Sequence, residues 1–138
     1  MSVSHDDILI VGAGIAGLTL GLCLQEKGIP CRILEKSPEI RPLGVGINVL
    51  PHATRVLSAL GLGAALDAAG VRTAEAGFFN RFGQLIFTDP LGLEAGYETP
   101  QYSIHRGDLQ QVLVNAFVER AGEEQLIKGV SCLGVTET

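Results

Sequence analysis

The sequence predicts an α/β fold organised around a parallel sheet, and three observations predict it. An apolar run of strand length, Ile8–Val11, passes directly into the glycine-rich turn Gly12-Ala13-Gly14-Ile15-Ala16-Gly17. A helix-length stretch follows and is stopped by Gly28-Ile29-Pro30. A second short apolar run, Cys31–Glu35, then ends on a carboxylate. Strand, crossover helix and strand in that order make a βαβ unit, in which the two strands lie parallel.

Each glycine of the turn has its own steric task. Gly12 allows the chain to leave the strand sharply, Gly14 removes a Cβ where a pyrophosphate would approach the backbone, and Gly17 lets the helix pack closely on the strand. The helix that opens there points unpaired N–H groups and the positive end of its dipole at the phosphates. Glu35 follows at about the 20-residue spacing at which an acid accepts hydrogen bonds from ribose hydroxyls. A glycine motif alone is weak; placed between strand and helix and followed by that acid, it is a Rossmann-like dinucleotide fingerprint over residues 7–35. The structural alternative is an ordinary βαβ turn with Glu35 merely solvated. Because Ile8-Leu9-Ile10-Val11 is apolar on both faces, the first strand is expected at the centre of a sheet covered on both sides.

A chain of 138 residues with 46% hydrophobic content is one domain's worth of sequence and can bury a core. The net charge of −5 and the lack of a basic patch argue against a nucleic-acid or anionic-membrane surface. Phosphate binding must therefore come from backbone donors and one or two arginines. The N-terminal Met1-Ser2-Val3-Ser4-His5-Asp6-Asp7 has no basic region, and the apolar run behind it is only a strand long, so neither a signal peptide nor a membrane span is expected. Cys23, Cys31 and Cys132 are odd in number, widely spaced and set among apolar residues. They read as reduced packing residues of a cytoplasmic protein. His5, His52 and His105 show no metal-ligand spacing with them, and no metal site is expected.

The first helix is expected over about Ile15 to Lys27, with Gly14, Gly17, Gly21, Leu24 and Gly28 on a stripe that can lie close to the sheet. Its other faces are also apolar, so burial on more than one side is expected. Ser37 to Asn48 reads as a loop holding Arg41, Gly44 and Gly46, in which two glycines around one valine suit close passage of backbone past a flat or bulky group. A flexible connector is the alternative. Pro51 suits the first turn of a helix ending before Gly61, and Gly63 to Gly70 suits a second, shorter one. Glu75 to Asn80 and Gln84 to Thr88 then read as an inserted β-hairpin about Arg81-Phe82-Gly83, with Phe78, Phe79, Leu85 and Phe87 expected to pack on a neighbouring layer. With the loop behind it, the insertion covers about residues 75–100. A short strand from Tyr102 to His105 leads through Arg106-Gly107-Asp108 into a helix from about Leu109 to Arg120, with Asp108 well placed for the helix dipole. Leu126–Val130 and Ser131–Val135 offer one or two last strand segments.

In that order, GAGIAGLTLGLCLQEKG, ILEKS, RPLGVGINVLPHATRVLSALGL and SIHRGDL resemble the N-terminal part of the FAD-dependent aromatic hydroxylases. This is the single-component flavin monooxygenase family, which includes 4-hydroxybenzoate, salicylate and ubiquinone-pathway hydroxylases. The resemblance implies that Gly12, Gly14 and Gly17 meet the FAD pyrophosphate and Glu35 the adenosine ribose, with Ala13, Ile15, Ala16 and Lys36 also among the cofactor-binding residues. It implies that Arg41 and the Gly44-Val45-Gly46 segment run past the flavin side of the cofactor. It also makes Arg106 the arginine of a His-Arg-x-Asp-Leu pattern that contacts the ribityl and phosphate region, a task suited to a permanently charged guanidinium. A surface ion pair is the alternative for Arg106.

The activity so implied is hydroxylation of a small aromatic substrate with NAD(P)H and O₂, in which the cofactor carries the hard chemistry and no protein nucleophile or metal is needed. Family members run to two or three domains and carry a second cofactor motif beginning Asp-Gly, a later Gly-Asp motif and a separate substrate sheet. None of these occurs within residues 1–138, so the fold is expected to be an incomplete FAD-binding domain, inactive alone, with exposed apolar surface. Substrate identity, the choice of NADH or NADPH and any homo-oligomer stay open. Two other readings are a non-catalytic dinucleotide-binding module and another FAD oxidoreductase, such as an epoxidase, halogenase or reductase.

Overall fold

A computed structural model describes residues 8–41 and 44–136. Asp7, His5 and Pro42, which enter the sequence reading, lie outside the described residues. In chain order the elements are β1 (Ile8–Val11), α1 (Ile15–Glu26), β2 (Cys31–Glu35), β3 (Gly46–Val49), α2 (Pro51–Ala59), α3 (Gly63–Ala69), β4 (Gly70–Thr73), β5 (Glu75–Phe79), β6 (Leu85–Pro90), β7 (Gln101–His105), α4 (Arg106–Ala121) and β8 (Leu126–Lys128). The chain forms two compact units, one from the described residues of 1–43 and 107–138 and the other from Gly44–Arg106.

The first unit is the predicted α/β fold. β1, β2 and β8 form a parallel sheet in the order β1-β2-β8, with Ile10 opposite Ile33 and Ile33 opposite Leu126. α1 lies on it through Leu18, Gly21 and Leu22, all buried. A Cβ on Gly21 would stand 2.7 Å from the Phe117 ring and 3.2 Å from Ile33 Cδ1, so the bare backbone of α1 is what lets α4 and β2 close on it. Phe117 is fully buried there, together with Leu109 and Leu113 of the same helix face. Burying such a side chain contributes about 1.5–3 kcal/mol relative to leaving it in water.

Two expectations for this unit change. β1 is an edge strand among the described residues, and Ile8, Leu9 and Val11 are exposed while only Ile10 is buried. β8 pairs on the far side of β2, which puts β2 rather than β1 in the middle. α1 likewise keeps one face open, with Leu20 49% exposed. Of the two C-terminal segments only Leu126–Lys128 becomes a strand; residues 131–135 pair with no strand among the described residues, and Cys132 is exposed instead of packed. Cys31 does pack: its thiol faces the Gly21 carbonyl at 3.8 Å, and burial raises its pKa.

The second unit holds an antiparallel sheet in the order β3-β7-β4. The sequence predicts a loop over Ser37–Asn48 and no strand at Gly70–Thr73, and β3 and β4 correct both expectations. Both are four-residue edge strands defined by β7 between them, too short for a period of their own. α2 and α3 bury Thr54, Leu57 and Leu66, and with Leu60 and Leu62 these join Val49, Tyr102 and Ile104 in the core. The Tyr102 hydroxyl donates to Asp67 Oδ1 at 2.7 Å, and the Arg72 guanidinium forks onto both oxygens of the same carboxylate at 2.6 and 2.7 Å. The arginine's two hydrogen bonds hold Asp67 below its ordinary pKa.

β5 and β6 make the predicted hairpin, with Phe78 stacked on Phe87 at 4.4 Å between ring centroids. The expected neighbouring layer is not found among the described residues. Phe78, Phe79, Phe82, Leu85, Ile86 and Phe87 are all exposed, because a two-stranded ribbon has no second surface on which to bury them.

Candidate nucleotide-binding site

The three glycines of the fingerprint separate by cause. Gly12 has φ +100°, a conformation that L side chains rarely adopt. Gly17 is required by packing, since a Cβ there would run into the Gly12 carbonyl oxygen and come within 3.2 Å of Ile10 Cγ2. Gly14 has neither reason. Its φ of −75° and ψ of 177° suit any residue, it is exposed, and a Cβ on it would meet nothing within 4 Å. The open space beside it lies at the start of α1, where the first N–H groups of a helix have no intrahelical acceptor and carry the positive end of the dipole. A bare backbone at that place is an anion cradle that a side chain would fill.

Glu35 closes this half of the site. Its Oε2 accepts the Ala13 N–H at 2.8 Å, and its Oε1 accepts the Ser37 N–H at 2.9 Å. The Ser37 N–H is the largest cause of a lowered carboxyl pKa; partial burial opposes it, and the Ala13 N–H and the charge of Lys36 assist it. A carboxylate offers about four lone-pair positions, so each oxygen retains capacity for a hydroxyl donor. Lys36 is exposed. Arg41 is spread on the surface against Glu39, with Nε and Nη2 both 2.8 Å from Oε2 of that residue and 68% of its side chain exposed.

The remaining predicted residues belong to the second unit, where pairing of β3 with β7 puts Gly46 opposite His105. The Arg106 N–H donates to the Val45 carbonyl at 3.1 Å, and His105 Nε2 lies 3.1 Å from the Gly44 carbonyl. Gly44 has φ +135°, and a Cβ on it would stand 2.6 Å from Arg106 Nε, so the arginine lies across bare backbone. At Gly46 a Cβ would find only the Ile104 carbonyl, at 4.0 Å. The structure therefore brings Gly44, Val45 and Gly46 to Arg106 within this unit, and Gly12 to Gly17 to Glu35 within the other.

Two residues that the sequence reading passed over take part. His105 holds the Gly44 loop, and its signal was its place beside Arg106. Gln110 donates from Nε2 to the Ala13 carbonyl at 2.7 Å. Its signal was positional: it stands on the same stripe of α4 as Leu113 and Phe117, three and seven residues on, a polar side chain on a buried face.

Residues 5–130 match the family described as FAD binding domain. The chain belongs to that family. As an FAD binding domain it is 48% identical over 130 residues to phenazine 1,6-dicarboxylic acid hydroxylase PhzS of Lysobacter antibioticus, covering 94% of this chain and 32% of that protein. It is 38% identical over 133 residues to 3-amino-4-hydroxybenzoate 2-monooxygenase of Streptomyces cremeus, covering 94% of this chain and 33% of the relative. The chain thus spans about a third of the length of these curated relatives. Klebsiella pneumoniae HpxO complexed with FAD and uric acid shares the fold at TM-score 0.74 and 23% identity, over 91% of this chain and 31% of that one. A tetrameric form of 2-methyl-3-hydroxypyridine-5-carboxylic acid oxygenase does so at TM-score 0.75 and 24% identity, over 92% and 32%. The resemblance to aromatic hydroxylases and the α/β fold class read from the sequence both hold. Among the described residues no helix is long and apolar enough to cross a membrane.

Proposed function

We propose that this FAD binding domain serves a flavin-dependent monooxygenase that hydroxylates a small aromatic substrate with NAD(P)H and O₂. The observation that carries the cofactor assignment is Gly14, a glycine that nothing among the described residues requires, beside open space at a helix N-terminus. A side chain is excluded there only if something from outside comes that close to the backbone. In this reading the backbone from Gly12 through Ala13, Gly14, Ile15 and Ala16 to Gly17 receives the pyrophosphate. Glu35 accepts ribose hydroxyls on its remaining lone pairs, with Lys36 beside it. Arg41, Gly46 and Arg106 are the further cofactor-binding residues of this reading. Bound FAD supplies the redox chemistry that side chains lack. The chain's own contribution is to bind, orient and hold charge.

The hydroxylase relatives support an aromatic substrate, and the tetrameric relative supports a homo-oligomer. The free cysteines, with Cys31 sealed in the core, agree with a cytoplasmic setting. Replacing Gly14 with Val tests the site. The backbone there suits any residue and a Cβ meets nothing within 4 Å, so far-UV circular dichroism should be unchanged. After incubation with FAD and desalting, the wild-type protein should retain flavin absorption bands and the variant should not. Equal retention by both would remove the phosphate assignment.

A further inference from the structure

We infer that Gln110 is a positioning residue that aims the glycine turn at its phosphate ligand; this rests on the FAD reading above. Ala13 sits between Gly12 and Gly14, the two residues of the turn with the most conformational freedom to lose. Both of its backbone polar groups are held by side chains from elsewhere in the same unit. The N–H donates to Glu35 at the end of β2, and the C=O accepts from Gln110 in the second turn of α4. Ala13 itself is fully buried, so both of its backbone polar groups depend on these side chains.

The consequence follows from peptide planarity. The Ala13 carbonyl and the Gly14 N–H share one rigid plane and point in opposite directions. Fixing the carbonyl on Gln110 Nε2 therefore fixes the direction of the Gly14 N–H, one of the donors presented at the open cradle. A pre-aimed donor binds more tightly than one that must be ordered during binding. Gln110 need not touch the ligand to have this effect, and its neighbour Gln111 does not share it: that amide bonds Asn115 on the exposed face of α4.

The test is FAD titration of the full-length protein and of three variants, followed by flavin fluorescence. Gln110→Met keeps the length of the side chain and loses the donor. Its Kd should rise about tenfold, the equivalent of one net hydrogen bond. Gln111→Met should bind like the wild type. Gln110→Glu places a carboxylate against the Ala13 carbonyl, which it can bond only when protonated. Its affinity should be weak near neutrality and should recover as pH falls through the glutamate range of about 4–5, relative to wild type at each pH. A role in packing alone gives no such recovery. Wild-type affinity in Gln110→Met, or a pH-independent deficit in Gln110→Glu, would overturn the assignment and leave the FAD reading standing. A wild-type protein that binds no FAD would overturn both.

Discussion

Arg106 lies against the backbone of Gly44, so closely that a Cβ on Gly44 would stand 2.6 Å from Arg106 Nε. The same glycine holds φ +135° and lends its carbonyl to His105. One residue thus admits the arginine, bends the loop and anchors the histidine.

Gly44→Ala should therefore destabilise the protein by about 1–3 kcal/mol, the usual cost of holding a non-glycine residue in such a backbone region. Urea unfolding would measure it. Gly46→Ala, in extended backbone with open space beside it, is the comparison, and equal losses in the two variants would contradict the crowding at Gly44.

Glu35 sets a pH dependence of known sign. Its carboxyl pKa is lowered in the folded state, first by the Ser37 N–H, so the unfolded chain binds the proton more readily. The stabilisation is complete above the ordinary glutamate pKa and is lost as pH falls through the lower folded-state value. Glu35→Gln should be less stable than wild type near neutrality, and the gap should close on acidification. Unfolding midpoints of the two proteins from about pH 7 to about pH 3 span this window. A constant gap would show that the carboxylate charge is not the cause.

Gln25 places both its amide oxygen and its amide nitrogen out of contact with solvent and without a hydrogen-bond partner among the described residues. Leaving a buried polar group unsatisfied costs about 1–3 kcal/mol. Gln25→Met, of nearly the same shape and without the amide, should raise the thermal midpoint. A lower midpoint would mean that the amide has a partner in the folded protein.

Much of the first unit was legible in the order of residues along the chain. The strand, turn, helix and strand over residues 8–35 are local, and each is signalled by its own composition: an apolar run, three spaced glycines, and a glycine with proline as the stop. The chemical assignment of Gly12 and Gly17 was equally readable, because backbone conformation and close packing are what glycine alone permits. Asp108 in the first turn of α4 and the hairpin about Gly83 were local too.

Long-range pairing decided the rest. Gly46–Val49 and Gly70–Thr73 are strands only because β7 lies between them, and four residues carry no periodicity that could announce it. Among the described residues β1 is an edge and β2 the middle strand, because β8, more than ninety positions beyond β2, pairs on the other side of β2. The carboxylate of Glu35 and the amide of Gln110 meet at Ala13 across separations of 22 and 97 residues. By itself the sequence determined the βαβ fingerprint and its family. The tertiary structure decided which side chains hold the turn in place, since a hydrogen bond between distant residues depends on the packing that brings them together and leaves no local trace in either segment.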